Sequence, residues 1–306
     1  MRRAIPAVLA LVASVIGSAD AALGQDGWRE EMQVLRIGYL SSADPSADAA
    51  RLEPFRAYIE ARIALPVELI PAATYDSLMD AEITGRVQYG IHTATSFAAA
   101  DAACACLEPL AVPSAIDGST GFHAILLVRA ESPIQSLADA RGKRLALAGE
   151  DSLAGRLVPL RGLADEGIDP DTWFGSVTTY PGPQAAISAM LAGDADIAVG
   201  WSSLAGDPLA GYSFGVLTRM VIDGKLAANP LRVVWQSRRI PFGPHAVRRD
   251  LAPELKALLS DALMSMVVEA PDALDAVDRS GYGGGGFVAI DPAEYGVIAE
   301  LVTPPG

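Results

Sequence analysis

The sequence contains one pattern of secondary structure twice, and this duplication constrains the fold more than any other feature. Strand-like apolar runs alternate with segments whose apolar residues recur at helical spacing. The runs are 34–40, 67–70 and 87–93 in the first copy and 143–148, 177–179 and 196–200 in the second. Arg36 and Arg144 occupy equivalent positions in the two copies, as do Gly85 and Gly193, which follow the second helical segment. Strands that alternate with helices predict mostly parallel sheets flanked by helices, so we expect two similar α/β lobes.

Two further runs are typical of strands that cross between lobes. The apolar run 121–128 would enter the second lobe, 231–235 would leave it, and 240–245 would continue that return. We therefore predict a cleft with a two-strand hinge, with residues 33–121 and 236–306 in lobe 1 and residues 122–235 in lobe 2.

The C-terminal part of the chain predicts a helix over 253–268 and another after Pro292, both packed on lobe 1. The glycine-rich segment 281–287 lies between them. No Lys-Ser or Lys-Thr pair follows it, so it is not a P-loop, and we expect a flexible turn.

The N-terminus has the pattern of an export signal. Arg2 and Arg3 precede an apolar run over 4–17, and Ala19 and Ala21 supply small residues at positions −3 and −1 of a cleavage site. The run is shorter than the ~20 residues that a membrane span needs. We predict a signal peptide over 1–21 and a periplasmic location.

The charge balance excludes one class of partner. The formal net charge is −14, whereas nucleic-acid binding needs basic patches that face the phosphates. A small anion remains compatible with this charge, because a cleft can have a local field opposite to that of the whole protein.

Cys104 and Cys106 are the two cysteines of the chain, and one residue separates them. A strained local disulfide and two buried free thiols both remain open. No further ligands lie nearby in sequence, so we expect no metal site and no cofactor.

Several segments, in order along nearly the whole chain, resemble the phosphonate-binding family of periplasmic solute-binding proteins. They include 35–38, 73–75, 108–113, 117–122, 132–143, 151–159, 231–235 and 240–241. The resemblance implies a type II, transferrin-like fold that traps a small oxyanion by hinge closure and presents it to an ABC permease in the inner membrane. It also implies a ligand beyond the carboxyl ends of strands, near helix N-termini.

The chain departs from the family where the oxyanion should be held. The family's Ser-Thr-Ser-Gly turn is here Ser152-Leu153-Ala154-Gly155, and an aromatic residue that is often Tyr is Phe122. Acidic residues that hold a ligand amine in the family correspond to Ser203 and Gly243, which disfavours an aminoalkylphosphonate.

The histidines allow two interpretations. In one, His92 and His123 line the cleft and replace the lost hydroxyl donors, which predicts an affinity that changes near neutral pH. In the other, these two and His245 are three unrelated residues with local partners. Trp201, after the strand that ends at Gly200, would either contact ligand or simply pack.

The sequence thus predicts a monomeric binding protein rather than an enzyme, because Ser152 lies in no nucleophile elbow and no metal or paired-carboxylate motif is present. Binding of a sulfonate, a thiamine-precursor-like compound or an organic acid, and a sensory role, stay open as alternatives. The predicted ligand-binding residues are Tyr75, His92, Thr93, Phe122, His123, Ser152, Gly155, Gln184 and Trp201.

Overall fold

The computed structural model of the chain describes residues 27–226, 231–278 and 284–302. The predicted signal peptide, 1–21, lies outside the described residues. Residues 27–33 belong to a separate unit, in which helix α1 is Gly27–Glu31. Among the described residues, no helix has the length and apolarity that crossing a membrane requires.

The strands that the structure describes within residues 34–302 form two six-stranded sheets. In chain order the strands are β1 (Leu35–Leu40), β2 (Val67–Ala72), β3 (Tyr89–Ile91), β4 (Leu107–Ala115), β5 (Gly121–Arg129), β6 (Arg144–Leu147), β7 (Ser176–Thr179), β8 (Ile197–Ser202), β9 (Leu231–Gln236), β10 (Ile240–Pro241), β11 (His245–Arg248) and β12 (Gly284–Val288). The first sheet has the order β12-β4-β11-β3-β1-β2, and the second has β10-β5-β8-β6-β7, with β9 also paired to β5. We call each sheet with its helices a lobe.

Helices connect the strands, as the alternating pattern predicts. They are α2 (Pro45–Ile63), α3 (Tyr75–Ile83), α4 (Ala94–Cys104), α5 (Val158–Asp165), α6 (Pro170–Trp173), α7 (Pro183–Ala192), α8 (Val216–Ile222), α9 (Pro253–Glu269), α10 (Pro271–Val277) and α11 (Gly296–Val302). A π-helical turn, Leu153–Leu157, precedes α5.

The predicted duplication is confirmed. In the first sheet β1 lies between β2 and β3, and in the second sheet β6 lies between β7 and β8, all in parallel pairs. Gly85 (φ +73°) and Gly193 (φ +90°), which end the equivalent helices α3 and α7, adopt the left-handed backbone that favours glycine. The α/β prediction therefore holds in both lobes.

Two segments cross between the sheets. Residues 116–120 connect β4 to β5, and Phe242–Pro244 connect β10 to β11. The stretch 240–245, predicted to continue the return, does pass from the second sheet to the first, because Ile240 and Pro241 pair with β5 whereas His245 pairs with β3 and β4. The backbone must leave the second sheet before it can join the first.

The glycine-rich segment is partly a strand rather than a turn. Gly284–Val288 pairs antiparallel with β4, while residues 281–283 lie outside the described residues. A Cβ on Gly285 would lie 2.4 Å from the carbonyl oxygens of Ser114 and Ala115. Glycine therefore allows the close backbone approach, and its presence in sequence does not indicate a flexible loop here.

The two cysteines form a disulfide at the C-terminal end of α4. Ala105, between them, adopts the left-handed conformation (φ +49°), and its N–H donates to the carbonyl oxygen of Asp101. The first of the two open alternatives is therefore the one observed.

Asp48 organises the turn between β1 and α2. Its buried carboxylate accepts the Ser42 N–H at 2.5 Å and the Ser41 hydroxyl at 3.2 Å, and Arg51 Nη2 lies 3.4 Å away. These hydrogen bonds, that of the Ser42 backbone above all, lower the pKa of Asp48 to about 2.

Asp48→Asn is expected to lower the free energy of unfolding by about 1–2 kcal/mol at pH 6. A lowered carboxyl pKa stabilises the folded state above the unfolded pKa, and that contribution disappears as the pH falls through the folded value of about 2. Urea unfolding of both proteins between pH 2 and 6 should therefore show the difference shrinking below about pH 4. Asp76→Asn, an exposed change in the first turn of α3, is the control. A difference that is constant with pH would contradict the assignment.

Candidate ligand-binding site

A cavity of about 520 Å³ lies where the two sheets face each other with the carboxyl ends of their parallel strands. Tyr39 and Leu40 end β1, Ile91 ends β3, and Leu153 follows β6 of the second lobe. Ligands of open α/β sheets bind at this edge. The cavity therefore has the position that the topology predicts for a binding site.

Most of the cavity wall is apolar. Its larger apolar side chains are Leu40, Leu52, Ile91, Pro113, Phe122, Leu153, Pro241, Phe242 and Val277. Its polar side chains are Tyr39, Arg51, Tyr75, His92, Thr93, Thr95 and His245. Among the described residues, no Asp or Glu lines the cavity.

The N-terminus of α4 meets this cavity. Thr93 and Ser96 form a capping box, in which the Thr93 hydroxyl accepts the Ser96 N–H at 3.1 Å and the Ser96 hydroxyl accepts the Thr93 N–H at 2.9 Å. The first N–H groups of a helix have no acceptor within it. The Ala94 and Thr95 amides can therefore donate to an anion in the cavity, and the helix dipole adds to this attraction.

Arg51, on α2, is the one Lys or Arg side chain among the lining residues that the structure describes. Its guanidinium contacts the carbonyl oxygen of Ala276 and lies 3.4 Å from the carboxylate of Asp48. Asp48 is ionised at neutral pH, so it offsets much of the Arg51 charge.

His92 lies at the predicted place, but its ring nitrogens have partners within the protein. Nε2 lies 2.8 Å from Glu82 Oε1, and Nδ1 lies 3.2 Å from the Ser96 hydroxyl. Both the His92 and Glu82 side chains are only 1% exposed. The hypothesis that His92 replaces a lost hydroxyl donor is therefore wrong in this structure, because neither nitrogen is available to a ligand.

His245 also lines the cavity from a buried position. Its Nδ1 lies 2.5 Å from the Tyr89 hydroxyl, and its ring packs edge-on against Phe287. Burial, with a smaller contribution from the neighbouring His92, lowers the pKa of His245 to about 3. The ring is therefore neutral across the physiological range.

Phe122 and Phe242 form an aromatic wall of the cavity. Their ring centroids are 6.1 Å apart, and Trp201 and Phe214 complete a closed set of four rings behind them. Trp201 lies 5.6 Å from Phe122 and does not itself line the cavity. Of the two roles open to Trp201, the structure supports packing.

The structure brings Tyr75, His92, Thr93 and Phe122 to the cavity, and it leaves the other five predicted residues outside its lining. Ser152 caps the π-helical turn, since its hydroxyl accepts the Gly155 N–H at 3.2 Å. Gly155 packs against Ala148, which directly follows β6, and a Cβ on Gly155 would lie 2.4 Å from the Cβ of Ala148.

His123 and Gln184 are the remaining two. His123 Nδ1 lies 2.8 Å from the carbonyl oxygen of Ser237, and Gln184 lies in the first turn of α7. His123 thus has the local partner that the second interpretation of the histidines predicts.

Asp117 ties the first crossing segment to the second lobe. Its carboxylate accepts the Ser119 N–H at 2.9 Å, the Ser203 hydroxyl at 3.1 Å and the Ser213 hydroxyl. Burial alone would raise the pKa of Asp117, but these hydrogen bonds lower it below its ordinary value. The Tyr295 hydroxyl holds the other crossing segment through the carbonyl oxygen of Phe242 at 2.7 Å.

Four residues that line the cavity were not among the predicted ligand-binding residues. They are Arg51, Thr95, Leu153 and Phe242. Thr95 had a usable signal, because a Thr-x-x-Ser capping box follows a strand at 93–96. The others have no local signal, since the fold alone brings them together.

Comparison with known proteins gives consistent matches. The profile of a family described as "ABC transporter, phosphonate, periplasmic substrate-binding protein" matches residues 37–295. The Phosphate-import protein PhnD of Mycolicibacterium smegmatis is 28% identical over 258 residues, covering 81% of this chain and 76% of that protein.

Solved structures share the fold at low identity. A Xanthomonas citri protein bound to chloride has a TM-score of 0.59 and 21% identity, over 89% of this chain and 96% of that one. PhnD1 from Prochlorococcus marinus in complex with methylphosphonate has a TM-score of 0.52 and 16% identity, over 88% and 97%. The predicted two-lobed binding-protein fold is confirmed by these similarities.

Proposed function

Because the chain belongs to the periplasmic substrate-binding proteins of phosphonate ABC transporters, we propose that it captures a phosphorus oxyanion in the cavity between its two lobes. Closure about the two crossing segments would then bury the ligand and create the surface that a permease in the inner membrane recognises. Closure needs contacts that form only in the closed state, and Leu153 is one residue of the second lobe in position to make them.

The N-terminus of α4 is the observation that supports this proposal most. In the proposed complex, the Ala94 and Thr95 N–H groups donate to the oxyanion, and the Thr95 and Tyr75 hydroxyls add neutral donors. Tyr75 is 43% exposed at the start of α3, so it can turn towards a ligand.

The remaining features of the proposal follow from the same role. Residues 1–21 are removed on export, the mature protein acts as a monomer, and it performs no catalysis. The lobes move as the two sheets divide them, with the strands of residues 121–241 in one lobe and β1–β4, β11 and β12 in the other.

Methylphosphonate is expected to bind the mature protein and raise its thermal stability. Ligand at 100 times its dissociation constant adds about 2.7 kcal/mol to the free energy of unfolding. Isothermal titration with methylphosphonate, phosphate and methanesulfonate measures the affinities directly. Thr95→Val should weaken binding about tenfold or more by removing one donor to a charged group. Thr172→Val, an exposed change in α6, is the control and should leave the affinity unchanged.

Each other result would overturn part of this proposal. Tightest binding of the sulfonate would favour the sulfonate alternative, and absence of binding to any phosphorus oxyanion would contradict the proposed ligand class. Equal affinities of Thr95→Val and Thr172→Val would exclude the Thr95 hydroxyl as a donor to the ligand.

A further inference from the structure

The cavity is larger than a simple phosphorus oxyanion requires. Its volume of about 520 Å³ falls within the range of roughly 300–1,000 Å³ that is typical of sites for drug-sized ligands. Inorganic phosphate or methylphosphonate, bound at the N-terminus of α4, would leave most of this space unfilled. The remaining volume therefore indicates that the ligand has a substituent larger than a methyl group.

The cavity is bounded in large part by apolar surface. Phe122 and Phe242 present their rings to it, and Trp201 and Phe214 hold those rings from behind at centroid distances of 5.6 and 5.7 Å. Contact with this wall favours binding only through the apolar ligand atoms that it removes from water. It offers no hydrogen bond to a second polar group.

The second lobe contributes an apolar contact where a hydroxyl would favour an oxyanion. Leu153 is the residue of the π-helical turn that lines the cavity, whereas the hydroxyl of Ser152 is used to cap that turn. Closure would thus place a leucine side chain, rather than a hydrogen-bond donor, against the ligand.

The lining also lacks a partner for a positive charge. Among the described residues no carboxylate lines the cavity, and the nearby carboxylates of Asp48 and Glu82 are engaged with Arg51 and His92. Burying an ammonium group without a partner is unfavourable, so an aminoalkyl substituent does not fit this wall.

We propose that the natural ligand is an organophosphonate with an uncharged, apolar substituent of about three or more carbon atoms. The phosphonate group would bind at the N-terminus of α4, and the substituent would lie against Phe122, Phe242 and Leu153. This inference rests on the proposed function and narrows its ligand class.

Titration of the mature protein with methyl-, ethyl-, propyl- and butylphosphonate tests this inference. Each added methylene is expected to tighten binding about fourfold, so that butylphosphonate binds roughly 60-fold more tightly than methylphosphonate. Propylphosphonate and 2-aminoethylphosphonate form an isosteric pair, and the amine is expected to bind about tenfold more weakly or worse.

A matched pair of variants locates the apolar contact. Leu153→Thr, which introduces a hydroxyl in the cavity, should reduce the butyl-to-methyl affinity ratio by about threefold or more. Leu157→Thr makes the same change at an exposed position of the same turn, outside the cavity lining, and should leave the ratio unchanged.

The outcomes separate the two proposals. If no phosphorus oxyanion binds, the proposed function fails. If methylphosphonate binds but the affinity is flat along the series, or inorganic phosphate binds most tightly, the function stands and the inference is overturned. Tight binding of 2-aminoethylphosphonate, or equal ratios in the two leucine variants, also overturns it.

Discussion

Gly243→Ala is expected to weaken methylphosphonate binding by about 10–100-fold and to lower the free energy of unfolding by roughly 1–3 kcal/mol. Gly243 lies in the second crossing segment and lines the cavity. A Cβ on this residue would lie 2.0 Å from the His92 carbonyl oxygen and 2.7 Å from Thr93 Cα. Both neighbours are backbone, so the added methyl group must displace either the crossing segment or the N-terminus of α4.

Titration calorimetry and urea unfolding of this variant measure the two effects. Gly296→Ala is the matched control, because Gly296 has a helical backbone (φ −55°) and no atom within 4 Å of an added Cβ. That control should bind normally and be equally stable or slightly more stable. A Gly243→Ala protein that binds as well as the control would show that the crossing segment need not contact α4.

His92→Phe is expected to lower the free energy of unfolding by about 3–5 kcal/mol. The change keeps a ring of similar shape but removes the partner of the Glu82 carboxylate, 2.8 Å away. Both side chains are 1% exposed, and Glu82 Oε2 has no hydrogen-bond partner among the described residues. The variant would therefore leave an unpaired carboxylate inside the protein. Urea unfolding at neutral pH measures the resulting loss in the free energy of unfolding.

Two further variants separate the contribution of the buried Glu82–His92 pair to stability from that of an exposed ion pair. Arg86→Ala breaks the exposed pair of Arg86 and Asp80, which are 63% and 65% exposed, and should cost less than about 1 kcal/mol. The double variant Glu82→Leu, His92→Phe should recover much of the stability, because it removes both polar groups. A single His92→Phe change that costs no more than Arg86→Ala would contradict this account.

The fold was predictable because its signals are local and repeated. Strand and helix periodicities are properties of short windows, and the glycines that end α3 and α7 recur at equivalent positions. Phe122, predicted from the sequence to bind ligand, lines the cavity for a related reason. A residue at the start of a crossing strand lies beside the cleft whatever its detailed environment.

The site was less predictable because its chemistry depends on hydrogen bonds within the protein. His92 was predicted at the right place, yet Glu82 and Ser96 occupy its nitrogens. Ser152 caps its own turn, and Leu153 of the same turn lines the cavity instead. Arg51 and Phe242 come from α2 and the second crossing segment, and no pattern within either segment marks them as neighbours.

The order of strands has a consequence for how the polypeptide reaches its native state. All six strands of the second sheet lie in the uninterrupted stretch 121–241, whereas in the first sheet β3 pairs with β11, from residue 89–91 to 245–247. Closing so long a loop before any contact forms is entropically costly. We therefore expect the second lobe to fold as an independent early unit, and its collapse shortens the distance between the ends that the first sheet must join. The cavity can form only when the first sheet is completed. Its N–H donors lie on α4 of the first lobe, and Gly243, which packs against α4, lies in the crossing segment after β10.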